Sequence, residues 1–111
     1  MLNKERIEKE IRNIKAENFD KYFMFSCEDT VYTHLKISNE LKKCLNIDIN
    51  NEGYLAAEYW VDKDSFHYIW NDCDEDGEVI DSKKLDDLVK SEYLNNLFLQ
   101  LIEEKREVKN I

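Results

Sequence analysis

Residues 52–81 have the sequence EGYLAAEYWVDKDSFHYIWNDCDEDGEVID, and we call them the acidic stretch. They contain ten Asp or Glu side chains and one base, Lys63, which together account for the formal net charge of −9 of the whole 111-residue chain. Both tryptophans of the protein, Trp60 and Trp70, also lie here. Aromatic rings and carboxylates are therefore concentrated in one segment, and the rest of the chain is neutral overall.

The acidic stretch begins with a pattern typical of a β-hairpin. Apolar and polar residues alternate over 54–61 and again over 66–71, on either side of the turn 62–65. A period of two is typical of strands that bury one face. If Val61 lies opposite Phe66, then Tyr59 lies opposite Tyr68 and the small Ala57 lies opposite the large Trp70. These are favourable cross-strand pairs, so we predict this register.

The outward face of this predicted hairpin is neither clearly polar nor clearly apolar. A face of this composition is too apolar for plain solvent surface and too polar for a core. We expect it to be covered by another element of the chain or to bind a partner. Its members are Ala56, Glu58, Trp60, His67, Ile69 and Asn71.

The residues before the acidic stretch predict a helix, a first hairpin and a short helix. Apolar residues spaced by four and three over 2–18 indicate an amphipathic helix. Residues 21–27 and 31–37 alternate with period two, and we predict a hairpin with Cys27 opposite Val31 and Phe25 opposite Thr33. Ser38 or Asn39 is then expected to cap a helix that ends near Leu45.

The residues after the second hairpin predict a short edge strand and one or two helices. Residues 78–80 form the expected edge strand, and Ser82 is expected to cap a helix. Ser91 offers a second helix start, and the apolar stripe shifts phase near Lys90, where we expect a break. The stripe of this last helix is Leu94, Leu97, Phe98, Leu101 and Ile102.

This order of elements predicts a single α+β domain over residues 1–111. Two hairpins and the edge strand give an antiparallel sheet of four or five strands, packed with N-terminal and C-terminal helices. The order resembles that of the small acidic chaperones of bacterial secretion effectors. This resemblance is one of architecture, without a shared motif, and it implies a protein-binding function as one alternative.

Charge and cysteine content narrow the classes of function. With a pI near 4.7, the chain lacks the positive surface that binds a phosphate backbone, so we expect a basic protein partner and no direct binding to nucleic acid. Cys27, Cys44 and Cys73 have neither disulfide-framework nor zinc-ligand spacing, which favours a reducing compartment. The charged N-terminal segment is unlike a signal peptide or a membrane span, so we predict a cytoplasmic protein that does not bind membranes.

Residues 72–79 match the opening of an EF-hand calcium loop. Asp72, Asp74 and Asp76 alternate and Gly77 follows, as such a loop requires for converging oxygen ligands and a sharp turn. The twelfth position, where a bidentate glutamate is needed, is Lys83, whose charge would repel the ion. We therefore predict no metal site and keep a degenerate calcium-binding loop as an alternative.

An extended conformation over 72–78 would give the same acids another use. Asp72, Asp74, Asp76 and Glu78 would then project on one side, about 6.7 Å apart. A row of this kind would present regularly spaced negative charge to a surface that holds a nucleic acid backbone. In composition these features resemble phage inhibitors of restriction and CRISPR enzymes, which implies nucleic acid mimicry.

The sequence offers no set of residues typical of catalysis. With only two glycines, the chain has no phosphate-binding loop and no dinucleotide fingerprint, and it has no nucleophile elbow. His34 and His67 fall in predicted strands, where a structural role is the commoner one. We therefore predict no enzymatic activity, no catalytic residues and no cofactor.

The sequence thus predicts a small acidic module that binds a basic protein. A nucleic-acid-binding enzyme or a toxin is the expected partner, and inhibition of the anti-restriction, anti-CRISPR or toxin-immunity kind is the expected function. Aromatic anchors within a charged rim supply affinity and steering in such interfaces. The predicted partner-binding residues are Tyr54, Glu58, Trp60, Asp62, Asp64, His67, Asp72, Asp74, Asp76 and Glu78.

Overall fold

The computed structural model describes residues 3–26 and 29–109, and it describes the side chains of 4–26 and 29–106. Its centre is a five-stranded antiparallel sheet in which each strand pairs with the next along the chain. The strands are β1 (Met24–Phe25), β2 (Thr30–Leu35), β3 (Gly53–Trp60), β4 (Ser65–Cys73) and β5 (Val79–Lys84). The helices are α1 (Asn3–Ile11), α2 (Asn39–Cys44), α3 (Asp86–Val89) and α4 (Glu92–Lys109). The predicted α+β fold is confirmed.

The first helix is shorter than predicted. Instead of continuing to about residue 18, α1 ends at Ile11, because the next amides bond three residues back, from Asn13 to Glu10 (3.1 Å) and from Ile14 to Ile11 (3.0 Å). These bonds tighten the chain into a 3₁₀-like turn. Ile14 is nevertheless buried, as the apolar spacing predicted.

Both predicted hairpins form, but each pairs two residues away from the predicted register. In the first, Phe25 lies opposite Val31 instead of Thr33. The predicted partner Cys27 lies outside the described residues. A shift of two residues preserves the faces, because side chains alternate along a strand.

The second hairpin closes one residue earlier on each strand than predicted. Val61–Lys63 form a 3₁₀ turn that ends on Asp64 in the left-handed conformation (φ 47°). Tyr59 therefore lies opposite Phe66, and the predicted pair of Val61 with Phe66 is wrong. The compact turn determines this register, and the alternation of apolar residues does not distinguish it from the predicted one.

The helices cover one face of the sheet, which we call the inner face. The ring of Phe98 on α4 is the centre of the packing: it stacks on Phe19 with 5.2 Å between centroids and lies 6.3 Å from the rings of Phe66 and Tyr68. Sheet residues of the inner face are buried in one core with the helices. They include Val31, Thr33, Leu35, Leu55, Ala57, Tyr68 and Trp70.

Two of the predicted helix starts are confirmed and one is wrong. The Ser38 hydroxyl accepts a hydrogen bond from the Leu41 amide (3.1 Å), and the Ser91 hydroxyl accepts one from the Leu94 amide (3.2 Å). Ser82 caps no helix, because the edge strand runs on to Lys84 and Ser82 lies within it. The expected break near Lys90 separates α3 from α4.

Candidate functional site

The face of the sheet opposite the helices is the candidate site, and we call it the open face. Its residues lie on one side because cross-strand partners in an antiparallel sheet point the same way. In the described part of the chain, none of them belongs to the core formed with the helices. The open face consists of Met24, Thr30, Tyr32, His34, Tyr54, Ala56, Glu58, Trp60, Ser65, His67, Ile69, Asn71, Ser82 and Lys84.

Three aromatic side chains form a cluster near the end of β2. The rings of His34 and Tyr54 are 4.6 Å apart, and those of Tyr32 and His34 are 5.4 Å apart, edge to face. Tyr32 Oη and His34 Nε2 are within hydrogen-bond distance (2.8 Å), and Asp20 lies 3.6 Å from His34 Nδ1. Both ring nitrogens of the histidine thus face groups of the protein itself.

The environment of Tyr32 disfavours its ionised form. Burial is the largest cause and raises the pKa of Tyr32 to about 12, and Tyr54 and the charge of Glu58 add to the effect. Tyr32 is thus half-buried on the open face, although no helix of the described residues covers it.

A second aromatic cluster lies at the other end of β3. The rings of Trp60 and His67 are 4.2 Å apart, and Lys63 Nζ lies 5.2 Å from the centre of the Trp60 ring. The Trp60 indole donates to Glu58 Oε1 (3.3 Å), and Ser65 Oγ is 3.1 Å from His67 Nε2. Neighbours within the chain hold this ring in one position, which lowers the entropy cost of using it as an anchor.

Between the two clusters the open face is closed to water. Ala56 is only 2% exposed, although it lies on the open face and outside the helix-packed core. Its cross-strand neighbours are His34 and Ile69, and large side chains also flank it along β3. The buried Ala56 therefore connects the two clusters into one continuous surface of mixed aromatic and polar side chains.

Four of the predicted partner-binding acids accept hydrogen bonds from their own chain. Glu58 does so from Trp60, as described above. Asp64 Oδ1 accepts from Tyr59 Oη (2.6 Å), a bond that is the largest cause of the raised pKa of Tyr59, about 12. Asp72 Oδ1 accepts from the Trp70 indole (2.6 Å) on the inner face. Asp74, described next, is the fourth. All four acids therefore contribute to the protein's own fold.

Asp74 organises the turn that joins β4 to β5. Its Oδ1 accepts from the backbone amides of Asp76 and Glu78, both at 2.9 Å, and Gly77 supplies the positive φ of 83° that the turn needs. Residues 74–78 are therefore a tight hairpin turn. The predicted extended conformation over 72–78 is wrong, because the chain reverses direction here. Asp72, Asp74, Asp76 and Glu78 therefore do not form the row that would mimic a phosphate backbone.

The turn also differs from an EF-hand, whose loop joins two helices. It joins two strands, and one carboxylate oxygen of Asp74 is directed at its own amides. Across the described residues, no group of three or more His, Cys, Asp or Glu side chains is placed to hold a metal ion.

The remaining predicted acids lie at two opposite ends of the sheet. Asp62 lies in the turn between β3 and β4, whereas Asp76 and Glu78 lie in the turn between β4 and β5. Nine residues of β4 separate the two turns, roughly 26 Å at the usual rise per residue. The ten predicted residues therefore do not form one site. Tyr54, Glu58, Trp60 and His67 lie on the open face, and the other six, all acids, are distributed around it.

The open face also includes residues that the predicted partner-binding set omitted. Tyr32, His34 and Ile69 lie on it together with the predicted Tyr54. Tyr32 and His34 alternate with buried residues along the first hairpin, so the sequence pattern indicates that they share its outward side. What the alternation did not show is that β2 pairs with β3, since α2 separates them in the chain.

Comparison with known proteins assigns no relative. No family model matches the sequence, and no match is found among curated proteins or solved structures. Over the residues that the structure describes, no helix is long and apolar enough to cross a membrane.

Proposed function

We propose that the protein is a cytoplasmic, acidic protein-binding module that inhibits a basic protein by docking on it through the open face. A nucleic-acid-binding enzyme or a toxin is the expected class of partner. Blocking the positively charged surface of such a protein would prevent it from reaching its nucleic acid or its target. The proposal includes no catalytic step and no cofactor.

The observation that carries the proposal is a sheet face with two aromatic clusters that no helix of the described residues covers. Rings such as Trp60 and Tyr54 are typical of the centre of protein interfaces, where they bury large areas at a low cost in conformational entropy. Exposed apolar area at the edge of the same face supports this reading, because Met24 on β1 is 48% exposed. A surface of this kind favours a protein partner over a small ligand.

The size of the open face fits a modest interface. Five strands at a spacing of about 4.8 Å and the length of β3 give a surface of roughly 19 by 23 Å. That is about half the area each partner contributes to a standard interface of ~800 Å² per side.

The charges of the acidic turns at both ends of the sheet support a basic partner. The side chains of Asp62, Asp76 and Glu78 have no hydrogen-bond or ion-pair partner among the described residues. Charges that are free to face solvent accelerate encounter with a surface of opposite sign and make the association rate depend on salt. The sheet thus combines a central apolar contact with negative charge at its ends.

Site-specific photocrosslinking in cells of the native host tests the proposal. A photoreactive phenylalanine analogue would replace Met24 or Lys84, at opposite edges of the open face, and Glu5 or Glu104 on the helices would serve as matched exposed controls. We expect a crosslink to a basic protein from the open face only, and we expect its yield to fall when Trp60 is replaced by alanine. Crosslinks of equal yield from the helix positions, or an acidic captured protein, would refute the proposal.

A further inference from the structure

The centre of the open face contains one carboxylate. Glu58 lies opposite Tyr32 on β2 and opposite His67 on β4 in the sheet register. Ala56 and Trp60 flank it along β3, since residues two apart share a face. Glu58 is therefore an acid surrounded by rings and a buried alanine, and not part of a solvated acidic turn.

The hydrogen-bonding capacity of this carboxylate is only partly used. Glu58 Oε1 accepts from the Trp60 indole at 3.3 Å, which is long for a bond to a charged acceptor. In the described part of the chain the ion pairs join Arg6 to Glu40 and His34 to Asp20, and Glu58 takes part in neither. The second oxygen therefore has no hydrogen-bond donor among the described residues.

A partner that covers the open face would remove the water from this carboxylate. A buried carboxylate without a charged donor strongly opposes binding, whereas a well-placed cation opposite it offsets the loss of hydration. The inference thus rests on the proposed function: if the open face is the interface, the partner must present a cation to Glu58.

The surroundings of Glu58 distinguish between the two basic side chains. A guanidinium group is planar, lies flat against aromatic rings and donates within its plane to a carboxylate, whereas an ammonium group is compact and strongly hydrated. Rings of Tyr32, Trp60 and His67 border the carboxylate on three sides. We propose that Glu58 forms the binding site for an arginine side chain of the partner, with the ring of Tyr32 in contact with its guanidinium plane.

Nuclear magnetic resonance with small probes tests this site without the partner. The probes are N-acetyl-arginine methylamide, its lysine analogue and its neutral citrulline analogue, which has nearly the same shape as arginine. The signal to follow is the indole N–H of Trp60, which is bonded to Glu58. At fixed ionic strength we expect the arginine probe to shift this signal with an affinity at least about tenfold higher than the citrulline probe, as a charged hydrogen bond implies. We expect the lysine probe to bind more weakly than arginine as well, because an ammonium group cannot lie flat against a ring while it donates to the carboxylate.

Two variants connect the shift to Glu58. Glu58→Gln preserves the shape of the side chain and should reduce the arginine affinity by about tenfold or more, while Glu75→Gln in the distant turn removes the same charge and should leave it unchanged. Amide spectra of both variants report whether the fold is intact.

The outcomes separate this inference from the proposed function. An equal response to lysine or citrulline, an unchanged affinity in Glu58→Gln, or no selective shift at Trp60 each overturns the arginine site. If the photocrosslinks from the open face persist in that case, the docking surface remains and only its arginine contact is refuted. If the arginine site is found but no open-face crosslink forms, the proposed function fails and the site stands alone.

Discussion

The inner and open faces of the sheet both contain aromatic rings, yet the chain covers only one of them. On the inner face Tyr68 and Trp70 are 1% and 4% exposed beneath the helices. On the open face Tyr54 and Trp60, from β3 itself, remain half-buried. The number of rings on a face therefore does not determine which face becomes core. The apolar stripes of the helices do, and the stripe of α4 covers only one side.

The polar groups of the rings show the same difference. On the inner face, the Tyr68 hydroxyl donates to Asn95 on α4 (2.9 Å), which joins the sheet to a helix. On the open face, the Tyr32 hydroxyl bonds to His34, two residues away on the same strand. The Tyr68 hydroxyl thus joins the sheet to a helix, whereas the Tyr32 hydroxyl bonds within its own strand.

The largest expected difference between the faces is in the two tryptophans. Trp70→Ala should lower the free energy of unfolding by about 3–5 kcal/mol, the usual cost of removing a fully buried ring. Trp60→Ala should cost only about 1–2 kcal/mol, because this ring is half-buried and contacts neighbours within the sheet. Urea unfolding followed by circular dichroism measures both values.

Equal costs for the two tryptophan variants would contradict the division into two faces. Leu94→Ala and Leu99→Ala provide an independent control on α4, since the same atoms are removed from a buried and a half-buried position. Leu94→Ala should cost about 2–5 kcal/mol, and Leu99→Ala clearly less.

A smaller difference is expected for the two tyrosine hydroxyls. Tyr68→Phe leaves the half-buried Asn95 Oδ1 without its donor and should cost about 1–2 kcal/mol. Tyr32→Phe should cost less than about 1 kcal/mol, because the His34 side chain that loses the bond is 43% exposed and can bond to water instead. The same unfolding experiment applies, and a larger cost for Tyr32→Phe would show that the open face stabilises the fold more than its exposure implies.

The sequence was sufficient to predict the elements and their faces. Alternation over the two hairpins placed Trp70 inside and Trp60 outside, and a phase shift of apolar residues located the break near Lys90. Registers and caps were less predictable. A shift of the strand register by two residues preserves the faces, so alternation cannot exclude it. Ser82 has a side chain that can cap a helix, but it lies in a strand.

The candidate site was predictable only in part, because it depends on pairing between distant segments. Glu58, Trp60 and His67 belong to one hairpin, and their common face follows from local pattern. Tyr32 and His34 join them through the pairing of β2 with β3, which no local pattern indicates. Too many acids were predicted to bind a partner, since composition does not show which carboxylates, such as Asp74, accept hydrogen bonds within the fold.

Alkaline pH should reveal how strongly the inner face resists a charge. Burial raises the pKa of Tyr68 above its ordinary value of 10.0. The unfolded chain therefore ionises first, so this contribution to stability is complete below about pH 10 and is lost as the pH rises towards the folded pKa. We expect the free energy of unfolding to fall from about pH 10 upwards, with a smaller slope in Tyr68→Phe. An identical slope in the variant would assign the loss to other groups.

The smallest expected effect on stability is in the turn between β4 and β5, which belongs to neither face. Asp76→Lys should change the free energy of unfolding by less than about 0.5 kcal/mol, because the Asp76 side chain has no partner among the described residues. Asp74→Lys is its matched counterpart two residues away. It removes the oxygen that accepts from two backbone amides and should cost about 1 kcal/mol.

Asp76→Lys and Asp74→Lys also distinguish a charge that speeds association with the partner from a charge that stabilises the fold. Once a crosslinked partner is known, Asp76→Lys should slow association and reduce its salt dependence, with little change in the dissociation rate, since exposed charges at the rim of an interface act mainly on encounter. Stopped-flow measurements at several salt concentrations give both rates. If Asp76→Lys leaves the association rate unchanged in a complex that weakens with salt, the steering charges lie elsewhere, and Asp62 at the opposite end of the sheet is the next position to reverse. If Asp76→Lys instead speeds dissociation, the turn contacts the partner directly, and the interface extends beyond the open face.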